Sequence, residues 1–369
     1  MANCAPESEF EQLPELYQRW VEELLPGGIP REREATCFDC AMCDRGQGAP
    51  VPGMGFFHPE TKCCTYFPDV PNFLVGRALS VDTAGGAALR AFVAGSAEHR
   101  AQATLLGVRP APKIRTVYRQ HKDELFGRDP DLRCPYAITP DPDAGPICGI
   151  WKQRNSICST WFCKHVKGYT GFQFWYVLQG LLGSLEWSLA WWAIARVLEN
   201  PAAALMPAQG EATARNKVSL RPDAWSFWSG TRASFYEACA DAVERLSARE
   251  ALEIGGMEAR LHLLDVEARF ARLHDGAPPE RLRVASYSIV ERDAERALLK
   301  SARYAQPFSA PAVLLSLLHY FDGRTTDAVL EAIHADTRVR LAPGIVRRLY
   351  DFGILELAED AAVSPEAPD

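Results

Sequence analysis

The chain has 369 residues, 47% of them hydrophobic and 24% charged, with a net charge of −7. That length admits two or three domains and a large core, and the acidic balance disfavours wholesale nucleic-acid binding, which needs a basic face. No basic, apolar leader opens the sequence, so the protein reads as cytoplasmic, where thiols stay reduced.

Residues 1–36 predict an N-terminal helical segment, with an amphipathic helix over Phe10–Leu25 stopped by Pro26-Gly27-Gly28. A cysteine-rich region follows over 37–170. It has loops such as Gly46–Gly55 and Pro140–Pro146 and few long periodic stretches. Such a segment makes a poor core by itself, and a bound metal would compensate. A helical domain is expected over 171–280, opening with a helix over 173–199. Its segment Phe174–Ala195 is 22 residues long with Glu186 as its single charge, which is long enough to span a bilayer. A carboxylate near the middle costs roughly 2.5–3.5 kcal/mol on insertion scales, and no strong basic cluster flanks it. The segment therefore reads as a buried helix and the protein as one without a membrane partner. Asn200-Pro201 stops it, 201–222 reads as a loop, and helical periodicity returns over 223–275.

Gly276-Ala-Pro278-Pro279 marks the next boundary, and the last unit covers 281–357. Strands are expected over Arg283–Val290 and Ala297–Ala302. Three helices are expected after them: Pro311–Phe321, one capped by Thr325-Thr326 and running to Ala335, and Pro343–Phe352, ended by Gly353. The tail, 358–369, is acidic and rich in Ala and Pro and predicts disorder. The whole reads as mainly α with small β: a metal-stabilised cysteine-rich loop domain, a helical middle and a C-terminal winged-helix-like unit.

Nine of the eleven cysteines lie between 37 and 163. They are the run Cys37-Phe-Asp-Cys40-Ala-Met-Cys43, the adjacent pair Cys63-Cys64, and Cys134, Cys148, Cys158 and Cys163. The two others, Cys4 and Cys239, read as an ordinary thiol near the terminus and a small apolar residue on a helix face. In a reducing compartment such a concentration favours metal over disulfides. Three cysteines spaced by two residues can cap three corners of a [4Fe–4S] cluster, with a fourth thiolate from afar. Structural zinc more often takes two separated CxxC knuckles and stands as the alternative. Nine thiols suffice for one or two four-thiolate clusters. Adjacent side chains diverge, so Cys63 and Cys64 read as ligands to two different centres, or as one ligand with one supporting residue. His58 and His165 lie beside the set as substitute ligands or plain loop residues. The aromatics Trp151, Trp161, Phe162, Trp175, Trp187, Trp191 and Trp192 read as core packing or as a shield around a cluster.

The stretch Cys134-Pro-Tyr, with Cys148-Gly-Ile150-Trp151-Lys-Gln-Arg154-Asn155-Ser-Ile-Cys158-Ser-Thr-Trp-Phe-Cys163, resembles the second half of the CxxCxxCC family of zinc- or iron-chelating domains. Cys148, Ile150, Arg154 and Cys158 match its pattern, with Trp151 where the family has Tyr and Asn155 where it has Pro. The first half departs: the compact CxxCxxCC stands here as CxxCxxC, and the cysteine pair follows only after 19 further residues. The likeness covers residues 37–165. It implies metal binding by the nine cysteines. Flagellin lysine N-methylase carries a similar region, which makes a protein-modifying activity one implied function. Arg154 is the expected cofactor-binding residue, either compensating a cluster's negative charge or pairing with a carboxylate.

The C-terminal stretches Phe321-Asp-Gly-Arg-Thr-Thr326 and Asp351-Phe-Gly-Ile-Leu-Glu356 are similar to the small winged-helix carriers that bind leader peptides. That likeness implies a peptide or protein partner docked by strand addition. Arg338, Arg340, Arg347 and Arg348 suggest phosphate contacts instead, but no hairpin wing follows them and the chain is acidic. The expected function is an iron–sulfur protein, redox or peptide-modifying. A zinc-stapled interaction protein and a cluster-based DNA-binding sensor are the alternatives. No nucleotide loop, HExxH or GxSxG motif is present.

Overall fold

Two long antiparallel helices make the spine of the molecule, and the cysteine-rich region packs onto them. The computed structural model describes residues 12–37, 40–43, 56–81, 84–95, 102–140, 145–207 and 218–358. Cys4, the loop at 46–55 and the tail from 359 lie outside the described residues.

Helix α1 (Glu15–Leu24) starts after Pro14, later than the pattern suggests, and buries Leu16, Tyr17, Trp20 and Val21 on one face. Beyond it come β1 (Val70–Pro71), α2 (Asn72–Leu79), α3 (Ala84–Ala94), β2 (Ala103–Thr104) and β3 (Gly107–Val108). The strands form a small antiparallel sheet ordered β1-β3-β2. Helix α4 (Pro112–Leu125), the hairpin of β4 (Ala137–Ile138) and β5 (Ile147–Cys148), and the short α5 (Ser156–Thr160) complete this region. The spine is α6 (Gly168–Val197) and α8 (Ala248–His274), the latter kinked at Gly256, whose backbone is non-helical with φ +66°. The contacts Gln173–Arg269, Phe174–Phe270 and Gly180–His262 run in opposite chain directions. Between them lie a hairpin of β6 (Leu205–Pro207) and β7 (Val218–Leu220), inside the stretch expected to be loop, and α7 (Arg232–Glu244).

The predicted boundaries at 36/37 and 170/171 cut through one hydrophobic core. Leu16, Trp20, Phe73, Leu74, Val108, Tyr136, Phe174, Leu185, Tyr236 and Val266 all belong to it. The cysteine-rich region thus builds helices and borrows the spine for its core. Helix α6 extends the predicted buried helix at its N-terminal end and is 30 residues long. Among the described residues no helix is long and apolar enough to cross a membrane.

A second core begins near the predicted break at 280. Its strands are β8 (Arg281–Val284), β9 (Tyr287–Arg292), β10 (Arg296–Ser301), β11 (Phe308–Pro311), β12 (Asp322–Thr325) and β13 (Leu355–Leu357), with α9 (Thr326–Thr337) and α10 (Pro343–Asp351). They form two antiparallel sheets, β11-β10-β9 and β12-β8-β13. The predicted helix Pro311–Phe321 is absent: Pro311 closes β11, and two 3-10 turns, Ala312–Ser316 and Leu318–Tyr320, take its place. The Ala312 amide donates to the Glu295 carbonyl at 2.8 Å. Leu314, Leu317 and Leu318 all go inward, a spacing that a three-residue turn satisfies. Mainly α with small β is the observed class, and the C-terminal unit has two α-helices where three were expected.

A candidate metal centre

Eight of the nine predicted ligands line one cavity of about 760 Å³: Cys37, Cys40, Cys63, Cys64, Cys134, Cys148, Cys158 and Cys163. Five separate stretches of chain deliver them. Cys37 and Cys40 come from the loop after the N-terminal segment, Cys63 and Cys64 from the turn begun by His58, and Cys134 and Cys148 from the β4–β5 hairpin. Cys158 comes from α5 and Cys163 from the link to α6. Cys43 is not among the lining residues; its backbone is held in an isolated bridge to Phe57, with the Phe57 amide donating to the Met42 carbonyl at 2.8 Å.

Local hydrogen bonds set each wall. The Asn155 side chain caps α5 by accepting from the Cys158 amide at 3.0 Å, and donates to the Asp69 carbonyl at 3.2 Å. The Cys134 amide donates to the Cys64 carbonyl at 2.7 Å, clamping the hairpin to the cysteine pair. Glu186, in the middle of α6, accepts from the Tyr17 hydroxyl, the Ser156 amide and the Ser156 hydroxyl. The one charge in the long apolar run therefore fixes the start of α5, two residues before Cys158. Burial raises the Glu186 carboxyl from 4.5 to about 7.

Burial also pushes most of the thiols upward, Cys148 to about 11 and Cys163 to about 12, with Cys37, Cys134 and Cys158 moved the same way. Cys63 and Cys64 behave as a pair. The Cys63 thiol donates to Cys64, which raises Cys63 and lowers Cys64, and Lys62 and Arg154 lower Cys64 further. Both face the cavity, so the expected divergence of adjacent side chains does not describe them.

Arg154 is 5% exposed and stacks on Trp151, its guanidinium carbon 3.5 Å from the ring centroid. Its donors reach the carbonyls of Trp151 at 3.0 Å, Cys158 at 3.1 Å and Gln12 at 2.6 Å. Among the described residues no carboxylate pairs with it. Its electrostatic neighbours are Cys148, Cys37, Cys158 and Cys63. A buried cation paired with no anion is costly, and these cysteine sulfurs are the groups within its reach that could ionise. Lys62 adds a second cation: it lines the cavity, and its ammonium donates to the Cys37 carbonyl at 3.0 Å. Sequence reasoning passes over Lys62, although its place directly before the cysteine pair is the available signal. It also passes over Tyr66 and Tyr118, which line the wall.

Trp151, Trp161 and Phe162 line the cavity; Trp175, Trp187, Trp191 and Trp192 do not. Trp175 packs in the core and donates to Glu32 at 2.7 Å. His165 is buried outside the cavity, its Nδ1 2.8 Å from the Tyr304 hydroxyl, and desolvation lowers it to about 4. His58 spends its Nδ1 on the Glu60 amide at 3.2 Å. Neither histidine lines the cavity.

Among the described residues no three Cys, His, Asp or Glu side chains converge closely enough to chelate a single ion. The thiols stand around the wall of a volume. A mononuclear zinc site needs four sulfurs within about 2.3 Å of one point, whereas a cubane takes each thiolate on a different iron, so its ligands stand further apart. Cysteine sulfurs with Arg154 and Lys62 beside them are a donor set that an iron–sulfur cluster or zinc could use. No protein-family model, curated protein or solved structure matches the chain.

Proposed function

We propose that this protein is an iron–sulfur protein whose cysteine-lined cavity holds the cluster and whose activity is redox chemistry at that site. One observation carries the reading: eight thiols from five chain segments surround a single cavity that also receives the buried cation of Arg154, bonded to carbonyls and a tryptophan face. When bound, a cluster supplies one-electron transfer at a potential set by its ligands, nearby hydrogen bonds and exposure.

The chain's own residues supply the rest. Arg154 and Lys62 offset the negative charge that ionised thiols bring into the interior. Their fields favour thiolate over thiol, opposing the desolvation that keeps the thiols protonated. Ligand binding must therefore release protons, and uptake strengthens as pH rises. Trp151, Phe162 and Tyr136 supply apolar surface to the wall. Trp161 and Phe172, each 39% exposed, stand at the solvent side of the lining, where an electron partner would approach.

The test is anaerobic purification of the full chain, then reconstitution with ferrous iron and sulfide. Brown protein with visible thiolate-to-iron charge-transfer absorbance, and iron matched by acid-labile sulfide, is the expected result. Colourless protein that carries stoichiometric zinc and takes up no sulfide would overturn it.

A further inference from the structure

Helix α8 carries a second apolar line that its own core does not use. Ala259, Val266 and Leu273 are buried and seat the helix on the bundle. On the opposite side Met257, Leu261, Leu264, Ala268 and Ala271 are all exposed, Met257 at 70%, Leu261 at 57% and Leu264 at 61%. Large apolar side chains left in water one after another along a helix mark a contact surface.

Their spacing identifies the kind of contact. The five recur at intervals of four, three, four and three residues, the a/d repeat of a two-stranded coiled coil. Leu261 and Ala268 take the a positions, and Met257, Leu264 and Ala271 take d. A helix packed on one side only needs no such repeat on the other. The kink at Gly256 fixes where the seam begins, one residue before Met257, and the seam then runs along the regular part of the helix.

The flanking charges decide the partner. Arg260 and Glu267 stand at g, Asp265 and Arg272 at e, and all four are exposed. None of the four is ion-paired within the chain among the described residues. In a parallel pair each g side chain faces the e side chain five places further on in the other helix. With a second copy in register, Arg260 faces Asp265 of that copy and Glu267 faces its Arg272. Two-fold symmetry repeats both contacts, which makes four attractive pairs and no repulsive one among these residues. An antiparallel pair sets g against g and e against e. Arg260 then meets Glu267, but Glu258 meets Asp265, so one contact repels for each that attracts. Two further charges beside the seam have neighbours in their own chain: Glu258 lies 3.9 Å from His262, and His274 lies 3.1 Å from the Gly28 carbonyl.

We propose that the protein forms a two-fold homodimer in which α8 pairs in parallel with α8 of a second copy along Met257, Leu261, Leu264, Ala268 and Ala271. The buried line of α8 lies opposite this seam, so each body sits on the outer side of the helix pair. About four turns of helix make a small interface, and the dimer therefore forms reversibly.

The experiment is sedimentation velocity on the full chain over roughly 1–100 μM, the range in which small interfaces assemble. The wild-type sedimentation coefficient is expected to rise with concentration from monomer towards dimer. Leu264→Asp puts a carboxylate into the seam and should abolish that rise. Arg260→Asp turns two attractive contacts into repulsive ones and should weaken the dimer about tenfold. Adding Asp265→Arg to Arg260→Asp should restore it, because the pair is then reversed and not lost. All these positions are exposed, and circular dichroism checks that each variant keeps its fold. A wild-type chain that stays monomeric throughout, or a dimer indifferent to Leu264→Asp, would overturn the proposal. Rescue of Arg260→Asp by Glu267→Arg in place of Asp265→Arg would overturn the parallel pairing.

Discussion

Glu186 and Arg154 put opposite charges into the same interior, and each is satisfied by different means. Arg154 has three carbonyl acceptors and a tryptophan face. Glu186 has two hydroxyls and an amide. The sequence marks both residues, one by its motif and the other by its isolation in an apolar run. It does not reveal their partners, because Gln12 and Tyr17 lie more than a hundred residues away. The raised Glu186 carboxyl has a consequence for stability. Between pH 4.5 and about 7 the folded protein keeps a proton that the unfolded chain has released. This contribution is therefore fully present below 4.5 and falls away as pH rises through about 7, a change of about 3 kcal/mol. Glu32 acts in the same direction, raised to about 7 chiefly by desolvation. Denaturant midpoints measured from pH 4.5 to 8 should fall in the wild type. His165, lowered to about 4 by desolvation, acts in the opposite direction up to pH 6.5, so in Glu186→Gln, whose amide keeps the shape and cannot ionise, most of the net slope should be gone. An unchanged slope would remove Glu186 from the account.

At the level of elements, legibility follows amphipathicity. Helices α7 and α9 are readable because one face is apolar and the other polar. Helix α2 is not: Asn72, Phe73, Leu74, Val75, Gly76, Ala78 and Leu79 are all buried, so no stripe marks it as a helix. Gly76 explains how it fits. A Cβ placed there would stand 1.9 Å from the Tyr236 carbonyl oxygen and 2.8 Å from the Ala240 Cβ, both on α7. Backbone cannot step aside as a side chain can, so Gly76→Ala must push the two packed helices apart. We expect a loss of about 3 kcal/mol or more, read as a lowered melting temperature with the helical signal retained at low temperature. The stretch Pro311–Phe321 fails in the opposite way. Its leucines suit a helix, but Pro311 belongs to β11, the Ala312 amide is bonded to the Glu295 carbonyl, and the chain that follows makes two 3-10 turns.

Across the whole molecule, two cores meet at a polar seam. The Tyr304 hydroxyl lies between His165 and Gln306, and the Gln306 amide reaches Glu34 at 2.9 Å. Arg347 is the centre of the seam. It pairs with Asp351 at 3.0 Å and donates to the carbonyls of Arg272 and Ala277. In the sequence it belongs to a basic face near Arg338, Arg340 and Arg348; in the fold it is buried and committed, with nothing left for a phosphate. Charge patterning alone does not separate it from its neighbours, since its two carbonyl partners come from α8 and the loop after it. Arg347→Ala removes the buried ion pair with Asp351, which keeps Thr170 and Lys167, and leaves two carbonyls unbonded at the junction, and should cost about 3 kcal/mol. Limited proteolysis should then release the C-terminal unit at the Gly276–Pro279 link, while wild type resists. Equal resistance of the two proteins would count against the seam.

The clamp of Glu186 on Ser156 matters for how the protein matures. Cys158 rides on a five-residue helix too short to persist alone, yet that helix is nailed to the spine by a carboxylate that belongs to the bundle. The hairpin carrying Cys134 and Cys148 is fastened to the same core through Tyr136 and Ile150. Both walls are thus secured from behind by the helical core. On the proposed reading, a wall held in this way by the bundle would give the cluster a preformed place to bind.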